Sequence, residues 1–487
     1  MQPKGLIIVL PLALAAALSL VLVSSDKMFS LAIILGALLL VVAFLSTRLS
    51  LYLLVFSMLL SPELLIGNLT GGGGASGRGL TLRFDDLLLV VIGFVWLAKM
   101  ATHKGGTPFL RTPLNGPIMF YIAAAGLATL IGVLGGRVKP MSGFFYWLKY
   151  YEYMFLYFMV VSAVMTKEEA RRVVFASLVT CFVIVLFAIA QIPSGERASA
   201  PFEGEQGEPN TLGGYLVFML AIVSGLLLTR EAVANRLPLL LLLVAGTIGL
   251  MATLSRASFL AAGVLILGCI GFLAPRKPIL MTMVLLGILS TPLWAPHAVK
   301  ERISYTFTQE QEEGQIRLGT LRIDTSTSDR LRSWQQSFEL WKKFPLWGTG
   351  VTGGPFLDAM YPRVLAETGL LGLVAFIVLI GSLFRTSITS YRLATDQFSR
   401  GIALGFLLGF LALLVHAIGS NTFLTVRIME PFWLFAALMV RGLMIAEATQ
   451  STELSPRTHR AVHKEAGSSI KAPASVVKPG LVRLRKP

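Results

Sequence analysis

The hydrophobic positions of this chain fall into long unbroken runs rather than alternating ones. A helix needs about 20 apolar residues to cross the hydrocarbon core of a bilayer. Runs near that length lie at 5–23, 28–46, 49–66, 84–101, 115–134, 144–165, 172–192, 211–229, 237–254, 257–274, 278–296, 364–384, 402–423 and 428–446. The pattern predicts an all-α polytopic membrane protein of about 12–14 transmembrane helices. Pro62 cuts the third run, which keeps the lower count open. Continuous apolar sequence argues against a β-barrel, whose strands alternate. MQPKGLIIVLPLALAAALSLVLVSSD at the start has the look of a signal peptide, but it is as long as a full span and lacks a small-x-small cleavage site. It is read as the first span.

One long polar insertion, from about Ala295 to Gly372, interrupts these runs. The chain therefore divides into an N-terminal transmembrane bundle of about eleven spans (1–296), a large loop containing short helices (297–363), C-terminal transmembrane helices (364–446) and a disordered basic tail (447–487). Only 14% of residues are charged, against roughly a quarter in soluble domains. The net charge of +16 would suggest nucleic acid for a soluble protein. Here the excess of Lys and Arg in alternate short loops explains much of it, and nucleic acid is not implied. Lys99, Arg171, Arg172, Arg276, Arg392, Arg400 and Arg441 then mark one side, with both termini cytoplasmic and the large loop outside. Cys181 and Cys269 lie in apolar runs and read as small buried hydrophobes.

Candidate chemistry concentrates in and near the loop. Arg256, in LMATLSRASFLAAG, has apolar sequence on both sides and falls on the outer side, against the positive-inside tendency. It reads either as a snorkelling side chain at a tight turn or as an anion clamp. The loop adds Arg302, Arg317, Arg322, Arg330, Arg332, Lys342 and Lys343. Residues 328–344 have a helical pattern in which Trp334, Phe338, Leu340 and Trp341 could pack on the membrane domain, with Arg330 one turn before Trp334. PLWGTGVTGG follows, and as a phosphate cradle it lacks the Lys-Ser/Thr of a P-loop, so a re-entry turn is the preferred reading. Asp358 is a candidate general base, and Glu367 opens the ETGLLGL run, where a helix N-terminus favours an acid in any case. The only HxxxH spacing, His459 to His463, lies in the basic tail, and no HExxH or nucleotide-binding motif is present, so no cofactor or metal is called for.

These segments resemble the O-antigen ligase/polymerase (Wzy-type) superfamily. The resemblance rests on SRAS at 255–258, DRLRSWQQSFELWKKFPLWGTG at 329–350, DAMYPRVLAETGLLGL at 358–373 and PFEGEQGEPNTLGGYL at 201–216, in that family's order, with FDDLLLV and FYWLKYYEYMFLYFMV further upstream. It implies a glycosyltransferase-type polysaccharide polymerase of the bacterial cytoplasmic (inner) membrane. Its reaction would join repeat units carried on undecaprenyl pyrophosphate into O-antigen, exopolysaccharide or capsule, with inversion and without metal. By matching motifs, Arg256, Arg330 and Arg332 would hold the pyrophosphate. Trp334, Tyr361, Arg363 and Asn210 complete the implied substrate-binding set, and Asp358, Glu367, Arg256 and Arg330 the catalytic set. Ligases of the superfamily usually have His nine residues before the Glu of E-x-G-L-L-G. Here that position is Asp358, which favours a polymerase over an O-antigen ligase or protein O-oligosaccharyltransferase. Implied partners are the lipid-linked oligosaccharide, membrane lipid, and the pathway's chain-length regulator and flippase. A transporter of lipid-linked sugars is the alternative from another class.

Overall fold

The computed structural model describes most of residues 41–468; the exceptions are 43–44, 62, 67–79, 103–109, 204–206, 230–234, 274–277, most of 280–296, 310–314 and 319–320. The expected span 5–23, most of 28–46 and 278–296, and the Gly-rich GGGGASGRG lie outside the described residues. The remaining apolar runs fold as helices: α1 (Thr47–Leu60), α2 (Phe84–Thr102), α3 (Asn115–Leu134), α4 (Pro140–Ala163), α5 (Lys167–Ala190), α6 (Pro209–Leu228), α7 (Leu237–Ala252) and α8 (Arg256–Leu273). The polar insertion supplies α9 (His297–Thr308) and α10 (Thr325–Lys343), after which α11 (Met360–Leu393), α12 (Gln397–His416) and α13 (Val426–Ser468) complete the chain. Among the described residues, six helices are long and apolar enough to cross a membrane: Asn115–Leu134, Lys167–Ser194, Pro209–Leu228, Met360–Leu393, Gln397–His416 and Val426–Thr449. Val90, Phe94, Phe175, Leu241 and Leu267 are each 60–69% exposed on the outside of the bundle, as side chains facing lipid should be.

Local signals set the boundaries. Thr166 and Glu169 form a reciprocal capping box at the start of α5, and Pro140 and Pro209 occupy first helical positions where a missing N–H costs nothing. Two expectations are corrected. The run 49–66 is helical only to Leu60. Beyond Pro62 the chain is β1 (Glu63–Ile66), paired antiparallel with β2 (Leu80–Arg83), because proline cannot continue a helix. The tail expected to be irregular from 447 remains helical to Ser468; its Ala, Glu, Gln and Arg residues favour helix, and the element ends beside Gly467. In the loop, Arg317–Leu318 (β3) pairs with Leu321–Arg322 (β4).

The centre of the bundle is α6, with 89% of its apolar window buried. It crosses α12 at a stripe of small residues, Gly401, Gly405 and Gly409. A Cβ on Gly225 would lie 2.4 Å from the Gly401 carbonyl oxygen and from the Gly405 nitrogen, so the two backbones touch.

A buried ionic network ties the N-terminal helices to α13. Arg83 donates to both oxygens of Asp85, to Glu430 Oε2 at 3.3 Å and to the Met58 carbonyl at 3.3 Å. Lys149 pairs with Asp86 and, at 3.3 Å, with Glu152. Arg427 donates to the carbonyls of Leu59 (3.1 Å) and Pro201 (2.8 Å). Asp85 and Glu430 are fully buried. Lys149 and Glu152 lie about 14–18 Å into α4 at 1.5 Å per residue. The unusual charges are therefore not confined to the loop and its edge, contrary to the sequence reading.

The Gly-Thr-Gly segment is a docked wedge. α11 breaks at Gly369 (φ 62°, ψ −161°), and Thr349 and Gly350 donate their N–H groups to the freed carbonyls of Ala366 and Glu367, both at 2.9 Å. Leu370 N–H returns to Pro345 O at 2.9 Å. Gly348 and Gly369 both have positive φ, and a Cβ on either would lie about 2.5 Å from opposing backbone. Gly369→Ala is expected to lower stability by more than the ~1–2 kcal/mol of left-handed strain alone, because the backbone clash adds to it. A reduced unfolding midpoint in detergent checks this.

Candidate active site

The charged groups that the sequence singled out come together at the loop end of the bundle. Leu254, between α7 and α8, takes a positive φ of 47°, a strained conformation for a branched residue. The turn sets Arg256 at the first position of α8, half-buried and directed toward the loop. Its Nη1 donates to Thr306 Oγ1 on α9 at 2.6 Å, and its Nη2 to Asp324 Oδ2 at 2.5 Å. Burial alone would raise the Asp324 carboxyl, but the Arg256 hydrogen bond, with help from Thr327, holds it below the ordinary carboxylate range.

Three further arginines share this space. Arg330 on α10 is largely buried, its guanidinium 3.5–3.6 Å from where a Cβ on Gly419 would stand, and its Nε has no hydrogen-bond partner. Arg302 on α9 also has a buried, unpartnered Nε. Arg197 donates from Nε to the Thr253 carbonyl at 3.2 Å. Burial pushes Arg197 down to about 10, and the charges of Arg302, Arg256 and Arg330 push the same way. Burial also lowers Arg302, with Arg256 adding to it, and lowers Arg330, where Asp358 opposes. Among the described residues, four guanidiniums thus face two carboxylates, Asp324 and Asp358. Such a surplus of partly desolvated cations makes this a candidate anion site.

Asp358 is fixed from two sides. Its N–H donates to Ser333 Oγ on α10 at 3.1 Å, and the preceding Leu357 carbonyl accepts from Asn421 Nδ2 at 2.9 Å. Below the arginines runs a buried polar chain. Ser255 Oγ donates to Asn210 Oδ1 (2.7 Å), Ser258 Oγ to Ser255 Oγ (2.8 Å), and the two nitrogens of His416 reach Ser258 Oγ (3.1 Å) and Thr422 Oγ1 (2.8 Å). Asn210 therefore stands beneath the cluster, at the start of α6.

The structure brings Arg256, Arg330, Asp358 and Asn210 together; the other predicted residues are elsewhere or otherwise engaged. Arg332, two positions from Arg330, falls on a different face of α10, where it is 43% exposed and 3.6 Å from Asp329. Glu367 receives Arg363 Nε at 3.0 Å, and Arg363 also donates to Tyr150 OH at 2.5 Å and stacks over Phe356. Tyr361 spends its hydroxyl on the Leu414 carbonyl at 2.5 Å and packs its ring on Phe376. Trp334, Phe338 and Trp341 form a ladder along a partly exposed side of α10, while the buried face of that helix is Ser328, Ser333 and Ser337. The expectation that these aromatics form the packed face is corrected: three serines allow the close approach, and Ser337 donates to the Pro362 carbonyl at 2.6 Å. Arg197, Thr306 and Asp324 were missed by sequence reasoning. The one available signal was a basic residue in a second loop, just before the PFEGEQGEPN element.

Residues 240–377 match the family model described as O-antigen ligase. The match runs from α7 through the arginine cluster to the first half of α11, and it supports the O-antigen ligase/polymerase superfamily on which the motifs converged. No curated protein matches the chain in a sequence search. Members of this superfamily act on lipid-linked oligosaccharides in a membrane, a class of substrate in keeping with an anion site at one end of a helical bundle.

Proposed function

We propose that the protein polymerises polyprenyl-pyrophosphate-linked oligosaccharide repeat units by metal-independent, inverting glycosyl transfer at the outer face of the cytoplasmic membrane. The observation that carries this reading is the convergence of Arg197, Arg256, Arg302 and Arg330, which among the described residues face the carboxylates Asp324 and Asp358, with two of the guanidinium Nε atoms unpartnered. Pyrophosphate is a good leaving group, and what it needs from a protein is neutralisation of charge that develops as the sugar C1–oxygen bond breaks. Preorganised guanidiniums supply this, and their planar forks match phosphate oxygens two at a time. Arg256 is held in place by Asp324 and Thr306, while Arg330 and Arg302 keep donors free for the ligand. Asp358, anchored beside Arg330, is the group proposed to accept the proton of the acceptor hydroxyl as that oxygen bonds to C1.

The family model's description favours a second reading, transfer of the glycan to a different acceptor by an O-antigen ligase. Asp358 in place of histidine favours polymerisation. Purified protein incubated with lipid-linked repeat units and no other acceptor separates them. Polymerisation yields a ladder of products spaced by one repeat unit. Donor that stays unextended until a separate acceptor is supplied would establish the ligase reading instead.

A further inference from the structure

α10 presents three faces, and two of them are accounted for. Ser333 and Ser337 are buried against the start of α11, where Asp358 N–H donates to Ser333 Oγ at 3.1 Å and Ser337 Oγ donates to the Pro362 carbonyl at 2.6 Å. Gln335, Gln336, Glu339, Lys342 and Lys343 are all exposed and form a polar face. Between these two, Leu331, Trp334, Phe338 and Trp341 share a strip about 80° wide at 3.6 residues per turn. Leu331 is 40% and Phe338 45% exposed, and the two tryptophans are half-buried. An exposed apolar strip rimmed by polar residues marks a surface that meets lipid or another protein.

Position decides between them. Trp341 Nε1 donates to the Pro345 carbonyl at 3.1 Å, and the same oxygen accepts the N–H of Leu370 at 2.9 Å. Leu370 is the first residue of α11 beyond its break, and Leu370, Val374 and Ile377 are exposed along one side of the apolar span that follows. The segment after α10 also meets the end of a second span. Arg137, just past α3, lies 4.2 Å over the Phe344 ring, and a Cβ on Gly132 would stand 2.5 Å from the Thr349 carbonyl oxygen. Leu130 and Leu134, in the last turns of α3, are exposed in the same way, as are Leu346 and Trp347 in the turn after α10. The C-terminal end of α10 is therefore fastened where two apolar spans end, and its aromatic strip adjoins their lipid-facing side chains.

We propose that α10 is an interfacial helix, with the strip from Leu331 to Trp341 seated in the headgroup region of the bilayer leaflet next to the arginine cluster. Tryptophan suits that depth because its ring is apolar while its N–H still finds an acceptor, as Trp341 does. Lys342 and Lys343 flank the strip, on the side where cations meet lipid phosphates. Lipid then covers the aromatic side chains that the packing of the serines leaves outside. The proposal holds whatever glycan reaction the arginine cluster serves.

The test places a nitroxide label at Phe338→Cys, Gln336→Cys or Val374→Cys in the full-length protein with Cys181→Ala and Cys269→Ala. Each protein is reconstituted in vesicles of phosphatidylcholine and phosphatidylglycerol without any glycan donor. Collisions of the label with oxygen, which concentrates in lipid, are compared with collisions with a water-soluble nickel chelate. Phe338 and Gln336 are both exposed, so the labels disturb no packed contact. The oxygen-to-nickel ratio at position 338 is expected to exceed that at 336 severalfold and to approach that at 374, the reference for a lipid-facing span. A ratio at 338 equal to that at 336 would overturn the proposal by placing the strip in water. Exclusion of both reagents at 338 would overturn it in favour of a protein partner. Shielding from nickel that appears only when a polyprenyl-pyrophosphate sugar is added would assign the strip to the donor's hydrocarbon chain instead.

Discussion

Arg330→Ala should lose two to three orders of magnitude in polymerisation rate, about the loss on removing one preorganised charge-stabilising donor, while its membrane level stays that of wild type. The second half of this result follows from the partners. Arg330 Nε satisfies nothing in the protein, and burial works against the charge. Removing the guanidinium therefore strands no partner of Nε, and the repulsion with Arg256 and Arg302 that it relieves offsets the lost attraction to Asp358 and Asp324. Arg256→Ala should lose activity as well, but for a mixed reason. It leaves Asp324, whose side chain is 2% exposed, without its ion partner, and a stranded buried charge is destabilising in its own right. Arg332→Ala is the control. Its contact with Asp329 is an exposed pair of the kind worth about 0–1 kcal/mol, so product length and stability should both stay at wild-type values. Gel-resolved product ladders from equal amounts of the four proteins provide the comparison.

Arg83→Met should do the reverse, costing fold before function. Arg83 is 4% exposed and holds Asp85, Glu430 and the Met58 carbonyl together. Methionine fills much of the same volume but leaves the buried carboxylates of Asp85 and Glu430 without the cation that both contact. Breaking a buried pair in this way costs about 3–5 kcal/mol, enough to remove most folded protein at growth temperature. The expected result is a sharply lower unfolding midpoint and little protein recovered from membranes, whereas Arg330→Ala is recovered normally. Normal recovery and midpoint for Arg83→Met would show that the network is not what joins α13 to the N-terminal helices.

The contrast between these arginines shows what could be read in the sequence. Arg256 was conspicuous because a guanidinium amid apolar residues, on the side where cations are rare, departs from two tendencies at once. The helices were legible because lipid imposes a length and a composition on each span: α6 stands where its apolar run placed it, and α12 overlaps the run 402–423 but begins at Gln397 and ends at His416. The pairing was not legible. Asp324 and Arg256 are 68 residues apart, and Glu430 and Arg83 are 347 apart, so no local spacing relates them. Helix phase was the other obstacle. Arg330 and Arg332 look equivalent in DRLRSW, yet two positions along a helix turn the chain by more than half a revolution, and only one faces the cluster. For the same reason the aromatic ladder Trp334–Phe338–Trp341 looked like a packing face, when the close contact belongs to the serines Ser328, Ser333 and Ser337 on another face of the helix.

The wedge at Gly348–Gly350 was half anticipated. A flexible turn at re-entry was expected, but not that its N–H groups would satisfy carbonyls released by a break in α11. That break separates Asp358 and the first turns of α11 from the apolar span that follows, which fixes Asp358 against α10 independently of the span's own packing.

Donor binding tests the central claim most directly. A labelled lipid-pyrophosphate oligosaccharide should bind the wild-type protein and Arg332→Ala alike, and Arg330→Ala about ten- to a hundred-fold more weakly, the range for a lost charged hydrogen bond. Equal affinity for all three proteins would contradict the assignment of the arginine cluster to the pyrophosphate.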